Sequence, residues 1–164
     1  MVTEKSLDLL LVHPGGRSAI YQSLGSALSA IEPPFWAGLM ATFIRRRGFS
    51  VEILDANAEG LTPAEAAQTA AERKPLLTAV VVYGHNPSAS TQVMPYAGDF
   101  CKSLKELSPG LKTIMVGGHA AALPEQTLKE EAVDFVAGGE GPYTLLDLLQ
   151  ALHSTQPDYR KVRS

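Results

Sequence analysis

Hydrophobic and polar positions follow two patterns that alternate along the chain. Short apolar runs, typical of strands buried in a sheet, lie at 7–12, 51–55, 79–83, 113–116 and 133–136. After each run comes a segment whose apolar residues have helical spacing, and these segments begin near Pro33, Thr62, Thr91, Pro124 and Pro142. Strands that alternate with helices in this way predict an α/β fold with a parallel sheet.

Local signals define two of these helices more closely. Gly48 is expected to end the first helix. Thr62, with Glu65 three residues later, predicts a capping box at the start of the second. The first helix also carries one apolar stripe that is expected to face the sheet, formed by Trp36, Leu39, Met40, Phe43 and Ile44.

Five strand–helix units with right-handed crossovers predict a three-layer, doubly wound, five-stranded parallel sheet. Its expected order is 2-1-3-4-5, flavodoxin-like or Rossmann-like, which places a ligand crevice between strands one and three at their carboxyl ends. The domain is expected to comprise residues 1–153. Residues 154–164 are polar and lack apolar periodicity, so they are interpreted as a tail or a linker to a missing domain.

Composition excludes several classes of function. The 164 residues include 14 basic and 17 acidic side chains and no basic stripe, so nucleic acid is not an expected partner. The single cysteine, Cys101, is expected to be a small packed side chain, and it excludes an internal disulfide. No segment approaches the roughly 20 apolar residues of a membrane span. The polar start does not resemble a signal peptide, so a cytoplasmic protein is expected.

Glycine and histidine concentrate where strands lead into helices. These turns contain His13-Pro14-Gly15-Gly16, Gly84-His85, Gly117-Gly118-His119 and Gly138-Gly139-Glu140-Gly141. Since parallel strands end at one edge of the sheet, bare backbone there would let a broad ligand approach. The same edge carries hydroxyl groups, at Ser88, Ser90 and Thr91, but few charges. A large and mostly neutral ligand with amide and hydroxyl groups is therefore favoured.

The motifs of several other α/β ligand-binding domains are missing. The segment from His13 to Ser18 does not supply the G-x-G-x-x-G of dinucleotide-binding folds, and no G-x-x-x-x-G-K-[ST] or G-x-S-x-G is present. His13 and Tyr83-Gly84 occupy the places where a phosphorelay receiver would carry acidic residues. These classes are therefore not favoured.

Two blocks in the second half of the chain carry a resemblance to a known family. They are residues 116–125, VGGHAAALPE, and 134–145, DFVAGGEGPYTL. Pro33-Pro34 with Leu39, and Arg47-Gly48-Phe49-Ser50-Val51 leading to Asp55, add weaker support. Over residues 7–152 the chain resembles the cobalamin (B12)-binding domain at the N-terminus of cobalamin-dependent radical S-adenosylmethionine (SAM) enzymes.

The resemblance implies a cobalamin site along the glycine-rich edge. In the wider family, a serine-x-leucine motif after strand three and a later Gly-Gly pair line the slot for the nucleotide tail. Here Ser88-Ala89-Ser90 is followed by 26 residues and then Gly117-Gly118, with Ser90 in the place of leucine. Valine at Gly117 or Gly118 is therefore expected to abolish cobalamin uptake and leave the fold intact. The implied cofactor-binding residues are Pro14, Gly15, Gly84, His85, Ser88, Ser90, Thr91, Gly117, Gly118, His119, Leu123, Gly138, Gly139, Glu140 and Gly141.

The cobalt-ligating motif of the wider family, D-x-H-x-x-G, is incomplete in this chain. Leu11 stands where the motif has the aspartate that orients the imidazole, although His13 and Gly16 match. Radical SAM relatives generally lack the motif and bind cobalamin without a protein histidine on its lower face. The resemblance therefore implies bound cobalamin with no protein histidine on cobalt, and no residue is assigned as a metal ligand.

The resemblance also implies how the chain would act. Radical SAM chemistry needs a C-x-x-x-C-x-x-C motif for an iron–sulfur cluster, which one cysteine does not supply. The chain is thus interpreted as a cobalamin-binding module without catalytic residues of its own. It would present the corrin to a radical SAM catalytic domain in cis or in trans, which would carry the cluster and SAM. The whole protein would be a methyltransferase, or a cyclase or ring-rearranging enzyme. Two alternatives stay open: a flavodoxin-like domain for a nucleotide or flavin, and a non-binding interaction scaffold.

Overall fold

Five parallel strands form the central sheet of the computed structural model, which describes residues 6–15, 33–83, 87–139 and 141–163. Their order is β2-β1-β3-β4-β5, and each neighbouring pair is parallel. The predicted fold class and strand order are confirmed. The strands are β1 (Leu9–His13), β2 (Val51–Asp55), β3 (Leu77–Val82), β4 (Lys112–Gly117) and β5 (Phe135–Val136).

Helices cover both faces of this sheet. They are α1 (Phe35–Arg45), α2 (Pro63–Arg73), α3 (Pro87–Leu107), α4 (Gly118–Ala122), α5 (Pro124–Glu130) and α6 (Gly141–His153). Helices α1 and α6 pack on one face, and α2 and α3 pack on the other. The predicted capping box is present at the start of α2, where Thr62 Oγ1 accepts from the Glu65 amide and Glu65 Oε2 accepts from the Thr62 amide.

The apolar run of β1 explains the three-layer arrangement. Leu9 and Leu11 belong to the core beneath α1 and α6, whereas Leu10 and Val12 belong to the core beneath α2 and α3. All four are fully buried because side chains of a strand alternate between the two covered faces. Cys101 lies in the second core as predicted, and burial raises the pKa of its thiol to about 12, so it is a packing residue rather than a nucleophile.

The predicted inner face of α1 is confirmed at Met40 and Ile44, which are buried, and Phe43 packs against the core. It is wrong at Trp36 and Leu39, which are 46% and 47% exposed, and Ala37 and Ala41 are buried instead. Alanine at these two positions lets the helix axis approach the sheet closely, which displaces the larger side chains to its flanks. The helix ends as predicted before Gly48, which has a φ of 91°.

A short helix replaces the turn predicted at Gly117-Gly118-His119. Gly117 is the last residue of β4, and Gly118 and His119 begin α4. The three alanines that follow, 120–122, have high helix propensity and explain this outcome.

The segment after α6 lies against the domain. Val162 packs on the core beneath α6, and Arg163 Nε donates to Asp147 Oδ2 over 2.6 Å. The guanidinium carbon of Arg163 lies 4.6 Å from the centre of the Tyr143 ring. The assignment of this segment as a tail or linker stays a prediction.

A carboxylate joins the first strand to the second strand and to the last helix. Asp8 Oδ2 accepts from the Ser50 amide over 2.6 Å and from Ser50 Oγ over 2.8 Å, and Asp8 Oδ1 lies 2.9 Å from His153 Nε2. Burial raises the pKa of Asp8, but the hydrogen bonds from Ser50 and His153 outweigh burial and leave this pKa below its usual value.

A lowered carboxyl pKa gives stability that is present above the unfolded-state pKa and is lost as the pH falls through the folded-state pKa. Asp8→Asn is therefore expected to unfold more easily than the wild type at about pH 7, and this difference in unfolding free energy is expected to shrink as the pH falls through the folded-state pKa of Asp8. Urea unfolding over a series of pH values from about 7 downward measures this, with the exposed Asp99→Asn as the control. A difference in unfolding free energy that stays the same at every pH would contradict the role of the charge.

Candidate functional site

The carboxyl ends of the strands meet at one edge of the sheet, as the sequence predicts. His13 pairs with Asp55 at the ends of β1 and β2, and Val82 pairs with Gly117 at the ends of β3 and β4. The first described helix after β1 is α1, which packs on one face of the sheet, and α3, the first described helix after β3, packs on the other. Helices on opposite faces after two neighbouring strands are the arrangement that opens a ligand crevice in doubly wound folds.

Four predicted site residues lie together where α3 and α4 begin. Ser90 is 3% exposed, and a Cβ added to Gly118 would lie 3.7 Å from its Oγ. Thr91 Oγ1 and His119 Nδ1 are hydrogen-bonded over 3.0 Å. The predicted Ser-x-x and Gly-Gly segments are therefore adjacent in space, and Gly118 offers exposed backbone beside a hydroxyl group.

Gly117 has a structural role that sequence reasoning missed. A Cβ at this position would overlap the carbonyl oxygen of Val82 and would lie 2.6 Å from the Val82 carbonyl carbon. Both are backbone atoms of the neighbouring strand and have little freedom to move. The expectation that valine at Gly117 would leave the fold intact is therefore wrong, and Gly118 is the glycine that can be tested without disturbing the sheet.

The other predicted site residues are distributed along the edge. Gly138 and Gly139 are exposed between β5 and α6, and Leu123 is exposed between α4 and α5. Gly141 is buried, and a Cβ there would lie 2.6 Å from Val116 Cγ1, so this glycine is also required by packing within the protein.

Before α1, Pro14 is buried, and Gly15 faces the loop after β2, where a Cβ would lie 3.2 Å from the Leu61 carbonyl oxygen. Gly84, His85, Glu140 and the side chain of Ser88 lie outside the described residues.

His13 has a carboxylate partner, although Leu11 stands in place of the aspartate of the D-x-H-x-x-G motif. Its Nδ1 lies 2.9 Å from Asp55 Oδ1, which also accepts from the Ala58 amide over 3.0 Å. Asp55 comes from β2, on the opposite side of β1 from β3. The contact fixes the imidazole across the β1–β2 strand ends and turns its Nδ1 side away from the β1–β3 crevice.

Two aromatic rings stand at the same edge and were not predicted as part of the site. Trp36, in the first turn of α1, stacks on Tyr83, which directly follows β3, with ring centres 5.0 Å apart and planes 29° apart. Burial raises the pKa of the Tyr83 hydroxyl. A signal for them exists in the sequence, since Phe35-Trp36 follows Pro33-Pro34 at the start of a helix and so belongs to the carboxyl edge.

Groups of metal-ligating side chains and membrane-spanning helices were sought in the described part of the chain. No group of three or more His, Cys, Asp or Glu side chains there is placed to hold a metal ion. None of the helices described has the length and apolar character required to cross a membrane.

Comparison with known proteins shows the family. The B12 binding domain family matches residues 22–149. The chain belongs to this family. As a B12-binding domain, it is 30% identical over 149 residues to the uncharacterized methyltransferase PH0819 of Pyrococcus horikoshii, a match that covers 90% of this chain and 30% of that protein. It is 25% identical over 148 residues to the anaerobic magnesium-protoporphyrin IX monomethyl ester cyclase of Rubrivivax gelatinosus, covering 89% of this chain and 24% of the cyclase.

Solved structures show the same fold. The radical SAM methyltransferase TsrM of Kitasatospora setae, solved with cobalamin and a [4Fe-4S] cluster, matches this B12-binding domain with a TM-score of 0.72 at 17% identity. The match covers 96% of this chain and 28% of that enzyme. The resemblance predicted from the sequence is confirmed. The chain spans less than a third of the curated relatives, 30% and 24% of their lengths.

The described edge fits a cobalamin ligand. Bare backbone at Gly118 adjoins the Ser90 hydroxyl, and a side chain at that position would fill the space beside it. Exposed glycines at 138 and 139 extend the backbone surface toward β5. A flat, bulky and largely uncharged ligand needs a surface of this kind.

Proposed function

We propose that this domain binds cobalamin at the carboxyl edge of its sheet and presents the corrin to a radical SAM catalytic domain, in cis or in trans. The observation that carries the proposal is the contact between the two predicted slot segments, with Gly118 beside the buried Ser90. Membership of the B12-binding family supports the choice of ligand over a flavin or a nucleotide.

Residues along the edge would hold the cofactor in distinct ways. Ser90 and Gly118 would flank the nucleotide tail, because a base can slide only past small groups. Thr91 and His119, already hydrogen-bonded to each other, would present polar atoms to the amide side chains of the corrin. Gly138 and Gly139 would add bare backbone. When bound, cobalamin supplies a cobalt centre able to carry a methyl group or take part in electron transfer.

The chemistry of the whole protein would depend on a second domain. With one cysteine, this chain does not supply three ligands for a radical SAM cluster. The two relatives are named as a methyltransferase and an anaerobic cyclase, and most of their length lies beyond the region they share with this chain. We infer that the cluster, SAM and the substrate site belong to the additional domain, and that the reaction is methyl transfer or cyclisation.

Titration of the purified chain with hydroxocobalamin tests the ligand. Saturable perturbation of the corrin absorbance bands, in a base-off form, is the expected result. Flavin mononucleotide and ATP are titrated in parallel. Unchanged corrin bands, together with retained flavin or nucleotide, would replace this proposal with a flavodoxin-like binding role.

The axial state of cobalt gives a separate prediction about His13. His13→Ala is expected to leave the corrin spectrum unchanged and the Kd within about twofold of the wild type, since the resemblance implies cobalamin bound without a protein histidine on cobalt. The contact of His13 Nδ1 with Asp55 Oδ1 would then serve the β1–β2 strand ends rather than the metal. Absorbance titration measures both. Asp55→Asn serves as the companion variant, because it frees the imidazole without removing it. A band shift in His13→Ala would show that this histidine ligates cobalt.

A further inference from the structure

The stack of Trp36 on Tyr83 reaches from the core to the surface, because Tyr83 packs against the core and Trp36 is not among the buried residues of α1. Trp36 is 46% exposed, and Phe35 beside it is 63% exposed and meets the indole edge-on, with ring centres 5.8 Å apart. The helix already buries a different stripe, formed by Ala37, Met40, Ala41 and Ile44. Contiguous exposed apolar side chains of this kind mark interaction surfaces or ligand-binding grooves.

The position of the stack connects it to the ligand crevice. Tyr83 directly follows β3, and Trp36 lies in the first turn of α1, the first described helix after β1. The two rings therefore connect the end of β3 with the start of α1, on the α1 side of the crevice. Tyr83 is half-buried, so one ring of the pair is fixed by the core before any ligand arrives.

We propose that the Trp36–Tyr83 stack is a platform that contacts the corrin macrocycle, an inference that rests on the proposed cobalamin binding. A corrin has a nearly planar ring system with methyl and methylene groups at its periphery, and an aromatic face fits these groups by dispersion and hydrophobic contact. Because the rings are already stacked on each other, little conformational entropy is lost on binding. Continuity with the crevice favours the cofactor as occupant over a partner protein.

Affinity measurements on tryptophan variants test the platform. Trp36→Ala is expected to raise the Kd for hydroxocobalamin about tenfold, or ~1.4 kcal/mol, whereas Trp36→Phe keeps a ring and stays within about twofold. Tyr159→Ala is the matched control, since Tyr159 is 41% exposed and pairs with Phe135 at a ring-centre distance of 5.1 Å. Circular dichroism and thermal unfolding confirm that each variant folds.

Hydroxyl-radical footprinting gives an independent readout of contact. Oxidation of Trp36, the single tryptophan of the chain, is expected to fall when cobalamin is bound, and oxidation of Tyr159 is expected to stay constant. The platform would be overturned if Trp36→Ala bound cobalamin as tightly as the wild type and if Trp36 of the wild type were not protected from oxidation. Cobalamin binding by the wild type would still stand in that case. If that variant instead lost only its capture of a radical SAM domain, the rings would be a protein-docking surface. Absence of binding by the wild type would overturn both proposals.

Discussion

Replacing Gly118 with valine is expected to abolish measurable cobalamin uptake while the domain stays folded. The position accepts a Cβ, since the nearest atom, Ser90 Oγ, would lie 3.7 Å away. The branched side chain would then occupy the space beside Ser90 through which the nucleotide tail is proposed to pass. We expect the Kd for hydroxocobalamin to rise at least about hundredfold in an absorbance titration.

Gly110 provides the matched control for this experiment. A Cβ at Gly110 meets no atom within 4 Å, and the residue lies before β4, at the opposite end of the sheet. Gly110→Val should therefore bind as tightly as the wild type. If Gly118→Val also did so, with an unchanged circular dichroism spectrum, the slot would have to lie elsewhere on the edge.

Gly117→Val is expected to destabilise or unfold the domain, in contrast to its neighbour. Gly117 pairs with Val82 in the β3–β4 ladder, and a Cβ would press on the carbonyl group of Val82. This overlap can be removed only if β3 and β4 separate or the connection between β4 and α4 shifts. The cost is expected to be about 3 kcal/mol or more, a large share of the 5–15 kcal/mol that stabilises a typical domain.

Alanine variants make this comparison quantitative. Gly117→Ala is expected to lower the urea midpoint clearly, whereas Gly118→Ala, with room for its methyl group, should change the free energy of unfolding by less than about 0.5 kcal/mol. Equal midpoints for the two variants would show that the strands adjust to a side chain at Gly117.

The sequence predicts the strands because a strand buried on both faces reads as a continuous apolar run. In β1 this run has four leucine and valine side chains, fully buried on alternate faces. The order of the strands follows from the small number of arrangements open to five strand–helix units with right-handed crossovers. The role of a glycine cannot be predicted in the same way. Gly117 is required because the backbone of Val82 approaches it, whereas Gly118 is proposed to leave room for a ligand. In the sequence the two glycines look the same.

The orientation of α1 and the partner of His13 show two further limits. In α1 two overlapping stripes satisfy helical spacing, one through Trp36 and Leu39 and one through Ala37 and Ala41, and the close approach of the helix to the sheet selects the second. Asp55 lies 42 residues from His13 and meets it only because β1 and β2 pair in register. Such a contact depends on tertiary pairing rather than on a motif.

The clasp formed by Asp8, Ser50 and His153 bears on how this domain can change over time. It joins β1, the start of β2 and the end of α6 at the pole of the molecule opposite the glycine-rich edge. The hydrogen bonds of the clasp therefore lie at the amino ends of the strands, and the proposed ligand site lies at their carboxyl ends. Exposed positions of the glycine-rich edge, such as Gly118, Gly138 and Gly139, therefore lie far from the clasp, and substitutions there change the ligand-binding surface without breaking its hydrogen bonds.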